Sequence, residues 1–237
     1  MNHFIESPRA NNASVLPPET LLIGFPICPF VARARIVAQE KGLALNVRYI
    51  DLANKPAWFL ERSPTGTVPA LDTGTHFIFE SSVISEVINE SAGPSLHPDA
   101  PLDRAVNRAW ADYAANLLRS QYMMMICRSN DDIDRYRMAL TDAMRKVEKV
   151  LTRKPFFNGE AFAIVDAAYA PLFVRCAFLK ERFGLDVLPG CRAMRAWGTA
   201  LLDRPSVQHV HGAEHRDALE AHMRQNGSVL LRHSLQT

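Results

Sequence analysis

The stretch Thr20-Leu21-Leu22-Ile23-Gly24-Phe25-Pro26-Ile27-Cys28-Pro29-Phe30-Val31 changes character halfway along. Residues 20–25 form a short apolar run of the kind that makes a buried strand. From Val31 the apolar residues Val31, Ala34, Ile36, Val37 and Ala38 fit a helix over 31–41, and Gly42 stands where that helix would end. Pro29 suits a first helical turn, because the N–H it lacks would be unpaired there. Cys28 thus falls at a strand-to-helix junction, in the N-cap region. Unpaired backbone N–H groups and the positive end of the helix dipole face its sulfur, and both favour thiolate over thiol near neutral pH. Residues 29–31 are Pro, Phe and Val, so no second cysteine is near. A mixed disulfide on Cys28 would need a small external thiol to resolve it. An isolated cysteine is otherwise a packing residue; the adjacent proline and the strand–helix frame tip the reading toward reactivity.

Outward from this junction, residues 45–50 read as a second strand. Residues 57–62 read as a short helix, stopped by the turn cluster Ser63-Pro64-Thr65-Gly66. Residues 67–71 and 76–79 flank Asp72-Thr73-Gly74, a hairpin signal. Residues 82–90 read as a helix closing at Gly93-Pro94. Strands joined through a helix should run parallel, and strands joined by a tight turn antiparallel. Residues 20–92 therefore predict a small mixed α/β domain of thioredoxin type.

A Pro- and Gly-containing linker over 93–101 follows, and strand signals then disappear. Leu102, Val106, Ala109, Tyr113 and Leu117 step at helical spacing. So do Ile133, Tyr136, Leu140, Met144, Val147 and Leu151, and again Phe162, Val165, Tyr169, Leu172, Cys176 and Leu179. Residues 102–223 predict an all-α bundle. Residues 1–19 read as a flexible leader, and 224–237 as a tail that loses periodicity and frays.

The whole-chain balance excludes several classes. With 48% hydrophobic and 22% charged residues in 237, the chain can fill a core and is not a disordered one. Lys+Arg number 27 against Asp+Glu 25, so there is no electrostatic case for nucleic acid. Apolar runs such as 167–174 fall far short of the ~20 residues that span a bilayer. No basic-then-apolar leader suggests secretion. The cysteines at 28, 127, 176 and 191 form no C-x-x-C pair. Reduced thiols in the cytoplasm are the expectation, with Cys127, Cys176 and Cys191 buried in helices. His209, His211 and His215 cluster, but no Cys or acidic ligand completes a tetrahedral set, so no metal is expected.

Two further positions carry alternatives. Pro69 opens a strand-like run in Ser63-Pro64-Thr65-Gly66-Thr67-Val68-Pro69-Ala70-Leu71. A cis Val68–Pro69 bond would turn the Val68 backbone outward as an edge for a peptide-like ligand; the plain alternative is an edge-strand proline. Glu80-Ser81-Ser82 follows a strand and opens a helix. It is either an ordinary cap or a holder for the charged end of a ligand.

Taken in order, these blocks resemble the cytosolic glutathione transferases, specifically the omega-like class with a cysteine nucleophile. The matching residues are Cys28-Pro29-Phe30 with Arg33, Asn54-Lys55-Pro56-Ala57-Trp58-Phe59, the run Ser63 to Leu71, and Glu80-Ser81. In the second half they are Phe157-Asn158-Gly159, Val165-Asp166-Ala167-Ala168 and Pro171. The resemblance covers roughly residues 21–205 and implies the glutathione transferase fold, with glutathione as co-substrate. By it, Cys28 forms a mixed disulfide with glutathione, and the Phe30 backbone lies close to the tripeptide. Lys55 meets the glycine carboxylate, Val68 before cis Pro69 pairs with the cysteinyl unit, and Glu80 and Ser81 hold the γ-glutamyl end. Asp166 resembles the family's buried helix-capping aspartate. Its usual Ser or Thr partner three residues earlier is Ala163 here, a loss of about 1 kcal/mol.

The resemblance implies thiol transfer and glutathione-dependent reduction, acting on mixed disulfides, dehydroascorbate or glutathionyl thioethers. A Tyr or Ser that activates glutathione for conjugation fits poorly, since no Tyr lies on the first strand. The second substrate is expected between the two halves, near Tyr122, Met123, Met124 and Met125, and near Arg175, one helical turn beyond Pro171. Relatives of the same fold are interaction proteins, including chloride intracellular channel proteins and a transcription-associated stress protein, so a non-enzymatic role is the rival reading. A homodimer is the family's usual state.

Overall fold

The computed structural model describes residues 15–152, 155–212 and 214–233. Most of the expected leader, residues 1–14, and the last four residues of the expected tail lie outside them.

The first half forms β1 (Leu21–Gly24), α1 (Pro29–Glu40), β2 (Asn46–Tyr49), α2 (Ala57–Arg62), β3 (Ala70–Asp72), β4 (Phe77–Phe79) and α3 (Ser81–Ser91). The sheet order is β2-β1-β3-β4. β1 and β2 are parallel, whereas β1–β3 and β3–β4 are antiparallel, as the connection rules require. Successive side chains of β1 point to opposite faces. Leu22 enters the main core with α1 and α3. Ile23 enters a smaller cluster with Ile50, Phe59 and Ala70, so α2 closes that face.

The second half is helical: α4 (Pro101–Ile126), α5 (Asn130–Glu148), α6 (Ile164–Phe183), α7 (Arg192–Leu202), α8 (Pro205–Val210), α9 (Glu214–Gln225) and α10 (Leu230–His233). Among the described residues no helix is long and apolar enough to cross a membrane. The main core runs without a break from α1 and α3 into α4, α5 and α6. Glu40 at the end of α1 joins the halves. Its carboxylate accepts from Arg204 Nε and Nη2 (2.8 and 2.6 Å) and from Ser206 Oγ (2.5 Å). The Arg204 guanidinium also lies over Phe156 and Phe162.

The structure departs from the sequence-based expectations in several places. Leu102 and Val106, read as core-facing, are 81% and 51% exposed. The inward face of α4 instead carries Asn107, Ala111, Ala114, Leu118 and Gln121. Polar residues hide there because they are paired: Asn107 with Asn158, and Gln121 Nε2 with the Leu172 carbonyl. Within the 93–101 linker, Leu96 N–H donates to Asn89 Oδ1 and His97 pairs with Glu86. Leader residue Val15 donates its N–H to the Ser91 carbonyl. The tail does not fray after Arg224: Val229 and Leu230 are buried, and Val229 N–H bonds the Cys127 carbonyl.

Candidate functional site

α1 begins at Pro29 with Cys28 as N-cap in extended conformation. This places the sulfur beneath the cis Val68–Pro69 bond. Cys28 Sγ lies 3.9 Å from the Val68 carbonyl oxygen, the acceptor for its S–H. Val68 precedes β3, and its backbone takes no part in the sheet ladder. Gly24 lets α1 approach β1 closely, because a Cβ there would stand 2.8 Å from Val31 Cγ1.

Two guanidinium groups reach this junction from below and beside it. Arg33, one turn along α1, is buried; Nη2 donates to Ser81 Oγ (2.5 Å) and Nη1 to the Ala111 carbonyl (3.4 Å). Arg175 crosses from α6 and donates Nη2 to the Ile27 carbonyl (2.9 Å), one residue before Cys28. Its Nη1 is buried without a hydrogen-bond partner. Burial pushes both arginines down to about 10, opposed by Asp112, Cys28 and Glu80 at Arg33, and by Cys28, Tyr122 and Cys176 at Arg175.

Opposing forces act on the Cys28 sulfur. Burial raises the Cys28 pKa, and this outweighs the Val31 and Phe30 amides and the fields of Arg175 and Arg33, all of which lower it. The helix start acts in the expected direction, and the packing around this half-buried residue acts against it.

The remaining candidates fall around this centre unevenly. Phe30 is half-buried over Arg33, with the guanidinium carbon 5.9 Å from the ring centroid. Lys55 is half-buried beside Gly66, and its ammonium pairs with no carboxylate among the described residues. Pro69 is buried. Glu80 is exposed and caps α3 at φ 68°, an unusual conformation for a non-glycine residue. The Ser81 hydroxyl is less available than expected, because Arg33 occupies it and the residue is 7% exposed. What Ser81 still offers is the backbone of the first α3 turn.

Of the second-substrate candidates, Tyr122 is half-buried and bonds His222 (3.0 Å). Arg175 lies at the junction described above. Met125, with Met124, is instead core: both are at most 2% exposed, while Met123 points outward. A methionine run on a helix lays successive residues on different faces, so the three could not share one pocket. A cavity of about 440 Å³ lies elsewhere, against His97, Asn107 and Phe162, and includes none of the candidates.

Among the described residues no group of three His, Cys, Asp or Glu converges to hold a metal ion. His209 is exposed, and the His211 and His215 rings pack edge to face at 4.7 Å. Burial first, then nearby charge, lowers them to about 4 and about 3. Cys127, Cys176 and Cys191 are free and buried. The start of α6 is held by Asp166, which accepts from Phe157 N (3.0 Å), Ala163 N (2.8 Å) and Trp197 Nε1 (2.6 Å). Trp197 and Phe157 N thus add donors to the capping aspartate, although Ala163 contributes no side-chain bond. Residues that sequence reasoning left without a role are Arg33 and His222. Arg33 was visible only as part of a motif, and His222 reaches the junction through the packing of α9.

The glutathione S-transferase N-terminal domain family matches residues 22–96, and the C-terminal domain family matches residues 130–197. The chain belongs to the glutathione S-transferase family, and it is omega-like within it. Glutathione S-transferase omega-1 of Sus scrofa is 30% identical over 189 residues, 78% of this chain and 77% of that protein. The probable chloroplastic glutathione S-transferase DHAR2 of Oryza sativa subsp. japonica is 30% identical over 145 residues, 61% of this chain and half of that protein. Glutathione transferase Omega 3C of Trametes versicolor superposes with a TM-score of 0.75 at 26% identity, covering 89% of this chain and 92% of that one.

Proposed function

We propose that the protein is a glutathione-dependent thiol transferase and reductase that works through a Cys28–glutathione mixed disulfide. The observation that carries the reading is the Cys28 sulfur at the α1 start, 3.9 Å from the Val68 carbonyl beside cis Pro69. In the first half-reaction the Cys28 thiolate attacks the glutathione sulfur of a mixed disulfide. The other thiol leaves and takes up a proton. A second glutathione thiolate then attacks the glutathione sulfur on Cys28 and releases glutathione disulfide with the Cys28 thiol restored. With a glutathionyl thioether α to a carbonyl, the same attack would expel an enolate.

The tripeptide would lie along Val68, whose backbone is outside the ladder. Its glycine carboxylate would meet the unpaired Lys55 ammonium. Its γ-glutamyl end would meet Glu80 and the backbone of Ser81 at the α3 start, and the Phe30 backbone would border the sulfur. Arg175 and Tyr122 would border the second substrate. Two copies would pair into a homodimer, the state that membership of the family implies. A cytoplasmic location agrees with four free cysteines.

Cys28→Ala tests the reading. Turnover of hydroxyethyl disulfide and of dehydroascorbate with glutathione should vanish in the variant. Wild-type rates in it would overturn the assignment. Retention on glutathione resin without any Cys28-dependent turnover would favour a non-enzymatic binding role, and undiminished conjugation of a chlorinated nitroarene would favour a conjugating transferase.

A further inference from the structure

The cavity of about 440 Å³ lies where the 93–101 linker, the first turns of α4 and the residues before α6 meet. Its size is that of a small-molecule site. None of its lining residues belongs to the Cys28 centre. Hydrogen bonds cross between its walls. Ile164 N–H at the start of α6 donates to the Leu96 carbonyl of the linker (3.1 Å). The Asn107 and Asn158 amides bond each other in both directions (3.1 and 2.8 Å), which ties α4 to the Phe157-Asn158-Gly159 turn. Phe157 N–H is in turn held by Asp166. A cavity braced in this way needs little reordering to take a ligand.

His97 lines this cavity with its side chain only 1% exposed. Its Nε2 lies 2.8 Å from Glu86 Oε1, and Arg108 Nε and Nη2 donate to the same carboxylate (2.9 and 3.2 Å). Burial alone would raise the Glu86 pKa, but the hydrogen bonds from His97 and Arg108 carry it down to about 2. An ionised carboxylate only accepts, so Nε2 carries the proton, and in the neutral ring the lone pair sits on Nδ1. Nδ1 is buried and has no hydrogen-bond partner among the described residues. A buried acceptor left unpaired costs free energy, and a donor brought by a ligand recovers it.

We propose that this cavity is a second binding site, which takes an aromatic molecule bearing an N–H or O–H donor, an aryl amine or a phenol, with its rings against Phe157 and Phe162 and its donor on His97 Nδ1. The other polar lining groups do not set this requirement. Asn107 and Asn158 are engaged with each other, and Ser95 Oγ accepts from His97 N–H (3.1 Å). Asp103 and Thr152 are exposed and stay solvated. Phe157 is half-buried and Phe162 buried, so both present ring surface to an aromatic guest in offset or edge-to-face contact. Val106 and Val150 also line the cavity yet are 51% and 39% exposed, and a guest would cover them.

The probe is N-phenyl-1-naphthylamine, which fluoresces when taken out of water and bears one N–H. Its N-methyl derivative has the same rings and no donor. Both are titrated at pH 8 into wild type, Val150→Trp and His97→Phe, with thermal midpoints recorded. His97→Phe keeps a ring, removes both nitrogens and leaves Arg108 on Glu86. Wild type should bind the N–H probe about fivefold more tightly than the N-methyl one, the worth of one hydrogen bond. Val150→Trp should weaken both by at least about tenfold with an unchanged thermal midpoint, because its ring takes the space the probe needs. His97→Phe should bind the two probes equally. No binding by wild type, equal affinity of the two probes for it, or undiminished binding by Val150→Trp would overturn the site. A preference that persists in His97→Phe would reflect the bulk of the methyl group and overturn the role of Nδ1. Fluorescence displaced by S-hexylglutathione would place the probe at the Cys28 centre and likewise overturn the site.

Discussion

Replacing Asp166 by alanine removes the acceptor of three buried donors at once: the Phe157 and Ala163 amides and the Trp197 indole. A buried donor stripped of its partner costs about 1–3 kcal/mol, so three cost about 6 kcal/mol at the middle of that range. The carboxylate's own burial offsets part of this, because it raises the Asp166 pKa from 3.8 to about 6. That shift corresponds to about 3 kcal/mol of unfavourable ionisation, which the variant no longer bears at neutral pH. The net loss is therefore about 3 kcal/mol, or about 6–12 °C in melting temperature for a chain of this size. Denaturant and thermal unfolding followed by circular dichroism at pH 7.5 measure it. A pH signature accompanies the loss. A folded-state pKa above the unfolded value contributes stability below about pH 4, and that contribution is lost as pH rises through about 6. The gap between wild type and variant should shrink over that window. A loss under about 1 kcal/mol, or a gap that widens with pH, would refute this account of the α6 start.

Other perturbations probe other joints. Glu40→Ala leaves Arg204 and Ser206 without their shared acceptor and should cost about 2 kcal/mol by urea unfolding. Because Glu40 is held below its ordinary pKa, chiefly by Arg204 against the cost of burial, its contribution should fade as pH drops below about 4.5. Gly198→Ala places a Cβ 2.6 Å from Phe173 Cδ1 in the α6–α7 contact and should destabilise by about 1–3 kcal/mol, read in the same unfolding assay. Arg175→Met removes a cation that lowers the Cys28 pKa. The alkylation profile of Cys28 should move to higher pH, and an unmoved profile would show that Arg175 has no hold on the sulfur.

The fold was legible where local signals agreed. Pro29 after an apolar strand, the Asp72-Thr73-Gly74 turn and the periodic runs of α5 and α6 each point to the element found. The first turns of α4 misled because Leu102 and Val106 are apolar yet exposed, while the buried face relies on paired Asn107 and Gln121. Hydrophobic spacing cannot register a polar residue that is buried because it has a partner. The site was legible as a strand–helix junction with a proline-flanked cysteine, since those features are contiguous in the chain. Its electrostatics were not. The charge acting on Cys28 includes Arg175 of α6, which lies 147 residues away along the chain. The occupied Ser81 hydroxyl escaped for the same reason, because its partner Arg33 arrives only through packing of α1 on α3.

The central claim is that one sulfur, at residue 28, accepts glutathione. Incubating the purified protein with glutathione disulfide and recording its intact mass, with peptide mapping of the adduct, tests this most directly. The account predicts one glutathione per chain, located on Cys28, removed by excess glutathione and absent from Cys28→Ser. An unmodified chain, or an adduct confined to Cys127, Cys176 or Cys191, would contradict it.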